Sequence, residues 1–591
     1  MVPEPPRPFP RAIYPLILGT STMADSKRWI VTPRLTPEAE ADLEKFPPIL
    51  RQLLFNRGYG TDAEARAFLK AETNFELDPF QLTGMGTTID RLSLALQRGE
   101  PIAIYGDYDV DGVTATALLV QTLRAFGGDV EGYIPNRFDE GYGLNNEALD
   151  SLKAKGIKLV ITVDCGIRSP KEAQHAREIG LDLIISDHHH PAVGELPPAV
   201  AVINPKQAGD DYPDKNLAGV GIAYKVAEAL FSCQPPPASL QPIDLLDLVA
   251  LGTVADLAPL VGENRRLVRS GLKQIRVTKR QGLFSLANVA EMVIGKTTAS
   301  QIGFILGPRL NAAGRLESAL AAFDLLTTTD FMLAGQLAQQ LDVQNRKRQE
   351  LTRQTQEKAE MLATADEKEP WLMIAVDKEF NAGVVGLAAS RLTEKYYRPA
   401  IVASQGETET RGSCRSIPEF HITDALDQCA DLLVRHGGHA AAAGFTVRNE
   451  NLQEFILRMK GIAERGLCDQ DLRKSLTADI EIPLSELTFD LLKNLTYFEP
   501  TGYGNPEALF VSRDVKVKAS RSVGADGKHL KITLDDEHGM TVDGIGFRMG
   551  EMQARLGPRV DVMYTFEPNE YNGRTSLQLN LKDVKAAGTT D

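Results

Sequence analysis

"PIAIYGDYDVDGVTATALL", Pro101–Leu119, runs from an apolar segment straight into three aspartates at alternate positions, Asp107, Asp109 and Asp111, followed at once by Gly112. An EF-hand calcium loop begins in this way, but it grips the ion with a glutamate at its twelfth position and follows a helix. Counting from Asp107, the twelfth residue is Leu118, and "PIAIYG" reads as a buried strand. The calcium loop is therefore excluded. Two readings remain, a solvated acidic turn and one wall of a catalytic metal site, and the rest of the chain decides between them.

From Pro101 to about Lys206, apolar runs alternate with amphipathic segments: "PIAIYG", "VTATALLVQTLRAFGG", "LVITVDCG", "LDLIISDHHH" and "AVAVINPK". That alternation predicts β-α-β units and a parallel sheet, whose ligands gather at the carboxyl ends of the strands. The first strand delivers Asp107, Asp109 and Asp111, the next ends in "TVDCGI" with Asp164, and a third ends in "SDHHHP" with Asp187, His188, His189 and His190. Asp256 follows the helical "LLDLVALGTVAD". Taken singly, Asp164 or Asp256 would serve as a helix cap or turn residue. Carboxylates and imidazoles converging on one sheet edge repel one another unless cations sit among them, so jointly they point to a divalent pair. Mixed oxygen and nitrogen donors suit Mn²⁺ or Mg²⁺ better than a thiolate-rich zinc site.

Composition bounds the remaining choices. With 591 residues, 43% hydrophobic and 24% charged, the chain has ordinary globular composition and the length for roughly three or four domains. No apolar run approaches the roughly 20 residues that span a bilayer, and "MVPEPPRPFPRAIYPLILGTSTMADSKRW" is a poor signal peptide, with Met23 an alternative start. Five cysteines without CxxC pairing fit a reducing, cytoplasmic compartment. The net charge of −14 argues little against a polyanionic partner, because binding depends on local basic surface and metal-holding carboxylates inflate the negative count. One such local cluster, "ENRRLVRSGLKQIRVTKRQ" at 263–281, reads equally as a nucleic-acid surface or a solvated helix face.

"GDYDVDGVTA", "VDCG", "SDHHHP" and "GTVADLAPL" resemble, in order, the four motifs of the DHH phosphoesterase superfamily in the form seen in the RecJ family of single-strand-specific 5′ exonucleases. The resemblance continues in "GPRLNAAGRLESA", "RGSCRSIPEFHI", "GGHAAAAGF" and "FEPTGYGNPEALF", and covers most of the chain from about residue 50. It implies that one metal is held by Asp109 and Asp164, and the other by Asp111, Asp164, His188 and Asp256, with Asp164 bridging. Asp107 matches a family carboxylate near the first metal; related pyrophosphatases place a histidine near Tyr105, which is not a comparable ligand, and Asp107 is expected to supply the missing charge. His189 is expected at the scissile phosphate and Asp187 behind it, orienting the histidines; His190 has no assigned role beyond a cap or the surface. Two such cations about 3.5–4 Å apart would activate water and clamp the phosphate.

The second half of the chain addresses the substrate. "FMLAGQLAQQLDVQNRKRQELTRQTQEKAEMLATA" predicts a long helix joining two lobes, and "WLMIAVD" and "PAIVAS" read as strands beyond it. Arg309, Arg315, Arg411 and Arg415 are expected to grip the backbone or 5′ phosphate of nucleic acid, because guanidinium pairs bidentately with phosphate. Asn311, Ser413, Gly437, Gly438 and His439 lie in the same motifs, the glycines offering backbone amides or, alternatively, a tight packing turn. Asn381 and Ala382 depart from the histidine and glutamate usual in the family. From about Leu472, alternating strands and an Asn572-Gly573 hairpin predict a small antiparallel barrel, an OB-fold by resemblance, although the pattern alone would also allow an inert β-sandwich.

The expected architecture is thus α/β. A leader and helical segment (1–85) precede a DHH-type parallel-sheet catalytic domain (86–270) and a helical connection (271–368) containing the long connecting helix. A DHH-associated α/β domain (369–465) and an OB-like β-barrel (472–591) follow. The expected function is a two-metal 5′→3′ exonuclease that releases mononucleotides from single-stranded DNA in repair and recombination. A helicase and a single-strand-binding protein are possible partners, and no membrane is. The alternatives are a phosphodiesterase of short oligoribonucleotides or dinucleotides, and a noncatalytic DNA-binding scaffold; the retained carboxylates speak against the second.

Overall fold

A computed structural model describes residues 27–73, 77–136, 143–192, 194–235, 237–365, 369–537, 539–571 and 573–589. Met23 and Asn572 lie outside them.

The first sheet has five parallel strands: β1 (Ile102–Gly106), β2 (Val130–Tyr133), β3 (Leu159–Val163), β4 (Asp182–Ser186) and β5 (Ala201–Ile203), in the spatial order β2-β1-β3-β4-β5. β1 and β3 are buried along their whole length, which accounts for their unbroken apolar sequence. β2 is the strand that the sequence pattern missed, its "VEGY" being only partly buried. The strand order reverses between β1 and β3, and the carboxyl ends of the two leave a crevice there. Asp109 caps the helix Val110–Ala125 by accepting the Gly112 N–H at 3.1 Å.

One apolar core covers a face of this sheet and continues through Leu283, Leu286, Leu306 and Leu325 to Leu341. Residues following 271 therefore pack as part of the catalytic lobe. The helix Phe331–Ala363 starts at an Asp330 cap, contributes Ala334 to Leu341 to that core, and ends with Ala359 in the core of the next lobe. At about 1.5 Å per residue its 33 residues span roughly 50 Å, so one rigid element joins both lobes.

The second sheet runs β9-β10-β8-β7-β6, with β6 (Met373–Asp377), β7 (Ala400–Gln405), β8 (Glu409–Arg415), β9 (Leu433–His439) and β10 (Ala442–Arg448). Only the β6–β7 pair is parallel.

The C-terminal strands Phe510–Val523, His529–Asp535, Thr541–Gly546, Arg574–Ala586 and Arg559–Tyr571 close on themselves, because the first also pairs with the last. This is a barrel rather than a sandwich. It departs from a purely antiparallel meander in one place, where Thr541–Gly546 runs parallel to Arg574–Ala586. Gly573, at φ +72°, turns the final hairpin. The N-terminal helices share the barrel's core, Leu43, Leu50, Leu53, Leu54 and Phe68 packing with Ile480, Leu484, Phe510 and Val560. Arg28–Val31 adds a parallel strand to Ser475–Ala478. Among the described residues no helix is long and apolar enough to cross a membrane.

Candidate metal centre and nucleic-acid face

The crevice at the ends of β1, β3 and β4 holds Asp107, Asp109, Asp111, Asp164, Asp187, His188 and His189, and Asp256 enters from the end of the helix Leu246–Ala255. Three triads have all their ligand atoms within 4.8 Å of one another: Asp107, Asp109 and Asp164; Asp111, His188 and Asp256; Asp164, His188 and His189. Asp164 and His188 each belong to two triads, so the groups form one continuous cluster. His188 Nε2 stands 3.1 Å from Asp164 Oδ1, 3.7 Å from Asp256 Oδ2 and 3.9 Å from Asp111 Oδ2.

Local structure explains these placements. Asp164 sits at φ +63°, immediately after β3, with 2% of its surface exposed. A Cβ on Gly219 would lie 2.7 Å from Asp164 Cβ, so the facing helix approaches this closely only because a glycine begins it. That helix, Gly219–Cys233, also holds Asp111: the Gly219 N–H donates to Oδ2 at 2.7 Å and the Val220 N–H to Oδ1 at 2.8 Å. A helix N-terminus stabilises the buried carboxylate and fixes its plane. Nothing in "LAGVGIAY" signalled this role, which depends on a contact across more than a hundred residues.

Asp187 accepts the Ile167 N–H on Oδ2 and the His189 N–H on Oδ1, and Oδ1 lies 2.8 Å from His189 Nδ1. Burial alone would raise this carboxyl, but the His189 and Ile167 hydrogen bonds more than offset it and hold it below its ordinary range. The same pairing outweighs burial at His189 and raises its imidazole. Two neighbours missed at the sequence level complete the loop, although both lie in the quoted "INPK". The Asn204 amide donates to the His189 carbonyl at 2.9 Å, and the Lys206 ammonium donates to the His188 carbonyl.

Without cations the cluster is electrostatically unbalanced. Burial and the neighbouring carboxylates push Asp111 and Asp164 well above the usual carboxylate range. Burial and Asp109 push Asp256 to about 7, while burial and the adjacent His189 lower His188 to about 3. Asp164 Oδ1 and His188 Nε2 are buried and make no hydrogen bond. Buried ligand atoms that lack hydrogen bonds and face one another fit hard divalent cations held by oxygen and imidazole.

The expected nucleic-acid contacts divide into two groups. Across the second sheet, Arg411, Ser413 and Arg415 pair with Thr446, Gly444 and Ala442, which pair in turn with Arg435, Gly437 and His439. Directly paired residues share a face, so one side presents guanidinium groups, a hydroxyl and an imidazole around a glycine strip. On the opposite side Gly412, Cys414 and Phe445 are buried. Gly438 faces that side, where a Cβ would meet Ala443 Cβ at 2.7 Å. At the carboxyl end of β4, burial and then Lys206 lower the imidazole of His190.

The "GPRLNAAGR" helix plays a different part from the one expected. The Arg309 guanidinium is committed to Asp342 Oδ1 at 3.0 Å and to the Ile305 carbonyl at 2.9 Å, which corrects its assignment as a phosphate grip. Asn311 Oδ1 accepts the Val110 N–H at 3.1 Å and thereby shapes the Asp109–Asp111 turn. A Cβ on Gly314 would lie 2.5 Å from the Tyr108 carbonyl oxygen, and one on Gly383 2.2 Å from that of Arg315. This helix thus wedges the acidic turn against the second lobe. Asn381 caps the facing turn by accepting the Gly383 N–H at 2.8 Å, and Ala382 is exposed.

Part of the 263–281 basic cluster is likewise turned inward, while Lys273 and Lys279 are exposed. Arg265 is 1% exposed; it donates to the carbonyls of Phe68, Tyr497, Phe498 and Pro500 and lies 4.1 Å over the Phe68 ring. Arg280 pairs with Asp247 and Arg269 donates to the Leu69 carbonyl.

Three family models match the chain: "DHH family, N-terminal domain" at residues 101–253, "DHHA1 domain" at 369–465 and "RecJ OB domain" at 478–583. The chain is 39% identical over 541 residues to the single-stranded-DNA-specific exonuclease RecJ of Bacillus subtilis, covering 91% of this chain and 68% of that protein. It is 36% identical to the Salmonella typhimurium protein of the same name, over 93% and 97% of the respective chains. The crystal structure of Thermus thermophilus RecJ in complex with Mn²⁺ superposes with a TM-score of 0.81 at 31% identity, covering 95% of this chain and 80% of that one. The Mg²⁺ complex gives 0.76 at 29%.

Proposed function

Because this chain belongs to the RecJ family of single-stranded-DNA-specific exonucleases, we propose that it degrades single-stranded DNA from the 5′ end and releases 5′-mononucleotides. It is a metal-dependent phosphodiesterase, and Mn²⁺ or Mg²⁺ is its cofactor. In this reading Asp107, Asp109 and Asp164 hold one cation, and Asp111, Asp164, His188 and Asp256 hold the second. The observation that carries it is the shared cluster itself, in which Asp164 and His188 each serve two triads of converging ligand atoms. When bound, the cations supply a hydroxide nucleophile at neutral pH and neutralise charge on the phosphate.

The protein's own groups then have distinct tasks. Asp187 holds His189 in one orientation and favours its protonated form, so its partly exposed ring can donate to a phosphate oxygen in the cleft. Asn204 and Lys206 pin the carbonyls of the two histidines, limiting movement of that loop. Arg411, Ser413 and Arg415, with His439 across the sheet, bind the backbone and terminal phosphate of the incoming strand. Arg309, tied to Asp342, is left out of that set.

The barrel guides the rest of the strand, its Lys531, Arg521 and the His529–Phe547 pair offering cations and an aromatic platform. Degradation in repair and recombination would use strands opened by a helicase or covered by a single-strand-binding protein, in the cytoplasm. Product analysis on 5′-labelled single-stranded DNA with Mn²⁺ or Mg²⁺ tests this reading. Immediate release of labelled mononucleotide is expected, and a ladder of long labelled fragments would instead place attack at the 3′ end.

A further inference from the structure

The segment that carries Asp256 is held from outside the catalytic lobe. After Asp256 the chain leaves its helix through Leu257, a non-glycine residue at φ +59°, and continues as Ala258-Pro259-Leu260. The Leu260 N–H donates to the carbonyl of Tyr503, in the turn just before the barrel's first long strand, at 2.7 Å. Two glycines of that turn fit directly onto the segment. A Cβ on Gly502 would lie 2.8 Å from Leu260 Cδ1, and one on Gly504, at φ +74°, would lie 2.9 Å from Pro259 Cβ.

The turn itself is firmly built. Gly502 and Asn505 exchange backbone hydrogen bonds of 2.8 and 3.2 Å, and the buried Asn505 amide donates to the carbonyls of Phe498 and Pro500 at 2.8 Å each. A rigid turn thus presses on a segment only three residues beyond Asp256, and that segment leaves its helix through an uncommon backbone conformation.

We propose that the Gly502–Asn505 turn is a positioning element of the metal centre, setting where Asp256 stands, so that the barrel-side unit is part of the catalytic machinery as well as a strand guide. This rests on Asp256 being a metal ligand. Outer contacts of this kind act on metal affinity and leave the ligand atoms unchanged.

The test uses the full chain and Mn²⁺ titrated calorimetrically without DNA. Gly502→Ala is expected to weaken Mn²⁺ binding at one site by roughly tenfold, and to raise the Mn²⁺ needed for half-maximal hydrolysis of a dinucleotide too short to reach the barrel. Binding of a long single strand in the absence of metal should not change. Adding Leu260→Val to that variant removes the obstructing Cδ1 and should restore Mn²⁺ affinity, which a general loss of stability would not do. Gly504→Asn, an asparagine tolerating the left-handed backbone, should act as Gly502→Ala does and serves if the latter does not fold. Folded variants that bind Mn²⁺ like the parent, or a weakened Gly502→Ala protein that Leu260→Val fails to restore, would overturn the proposal. An Asp256→Asn protein with undiminished Mn²⁺ binding would instead overturn the ligand assignment, and the positioning role with it.

Discussion

Asp164 carries the heaviest load of any single side chain in the site. It is shared by two triads of ligand atoms, held at φ +63° and approached by the one residue type that leaves room for it. Asp164→Ala is therefore expected to abolish cleavage at saturating Mn²⁺ while strand binding stays measurable, because the second sheet and the barrel are untouched. Turnover near that of the parent would remove the bridging role. At the same scale, Arg415 replaces Arg309 as the residue to test for end recognition. Arg415→Ala should reduce the preference for 5′-phosphorylated over 5′-hydroxyl oligonucleotides by about 1–3 kcal/mol, the worth of one charged hydrogen bond. Arg309→Ala should leave that preference intact and lower thermal stability, since it leaves the buried Asp342 with the exposed Arg346 as its ion-pair partner. The two arginines looked alike as letters in motifs. Only their partners separate them.

At the scale of elements, the strip across β8, β10 and β9 makes a quantitative claim. Arg411 and Arg435 flank Thr446 in the pairing, so both reach the same strand of nucleic acid if that face binds it. Each replaced by alanine should weaken binding across all sequences alike and reduce the slope of log affinity against log salt by about 1. An unchanged slope would mean that the backbone runs elsewhere. This face was half legible from sequence. "RGSCR" alternates, as a strand with one buried side must, but the sequence could not say that "GGHAAAAGF" folds into the two strands that continue its face. Nor could it show the "GPRLNAAGR" helix as a wedge, because its contacts with Val110, Tyr108 and Gly383 all come from distant parts of the chain.

For the whole molecule, the barrel and the N-terminal helices are one packed unit fastened to the catalytic lobe through Arg265. Arg265→Met keeps the bulk but removes all the guanidinium bonds to the carbonyls of Phe68, Tyr497, Phe498 and Pro500; Phe498 and Pro500 keep the Asn505 amide and Phe68 the Ala71 N–H. A loss of at least about 3 kcal/mol in unfolding free energy is expected, with little direct effect on DNA contacts. Chemical denaturation checks it, and a change below 1 kcal/mol would show that the clasp is dispensable. Ending the chain near Leu472 would bare the apolar faces of Leu43, Leu53 and Phe68 and remove the turn behind Asp256. Dinucleotide hydrolysis should then fall together with long-strand binding; a truncated protein that loses only the latter would mark the barrel as a detachable strand guide.

The sequence by itself determined the parallel sheet and the residues at its edge. Buried parallel strands must be continuously apolar, and the residue types that bind hard cations are conspicuous where such strands end. It also determined the long helix, through a polar stretch of helical composition with few breakers and no proline, and the approximate place of the barrel. Tertiary structure alone decided that Asp111 rests on the N-terminus of a helix more than a hundred residues away, that Arg309 and Arg265 are internal ties, and that the barrel-side unit abuts the Asp256 segment. The physical reason is common to all of these. Periodicity reports which side of an element avoids water, whereas the partner of a buried charge or carbonyl is fixed by how separate elements pack, and no local pattern encodes that.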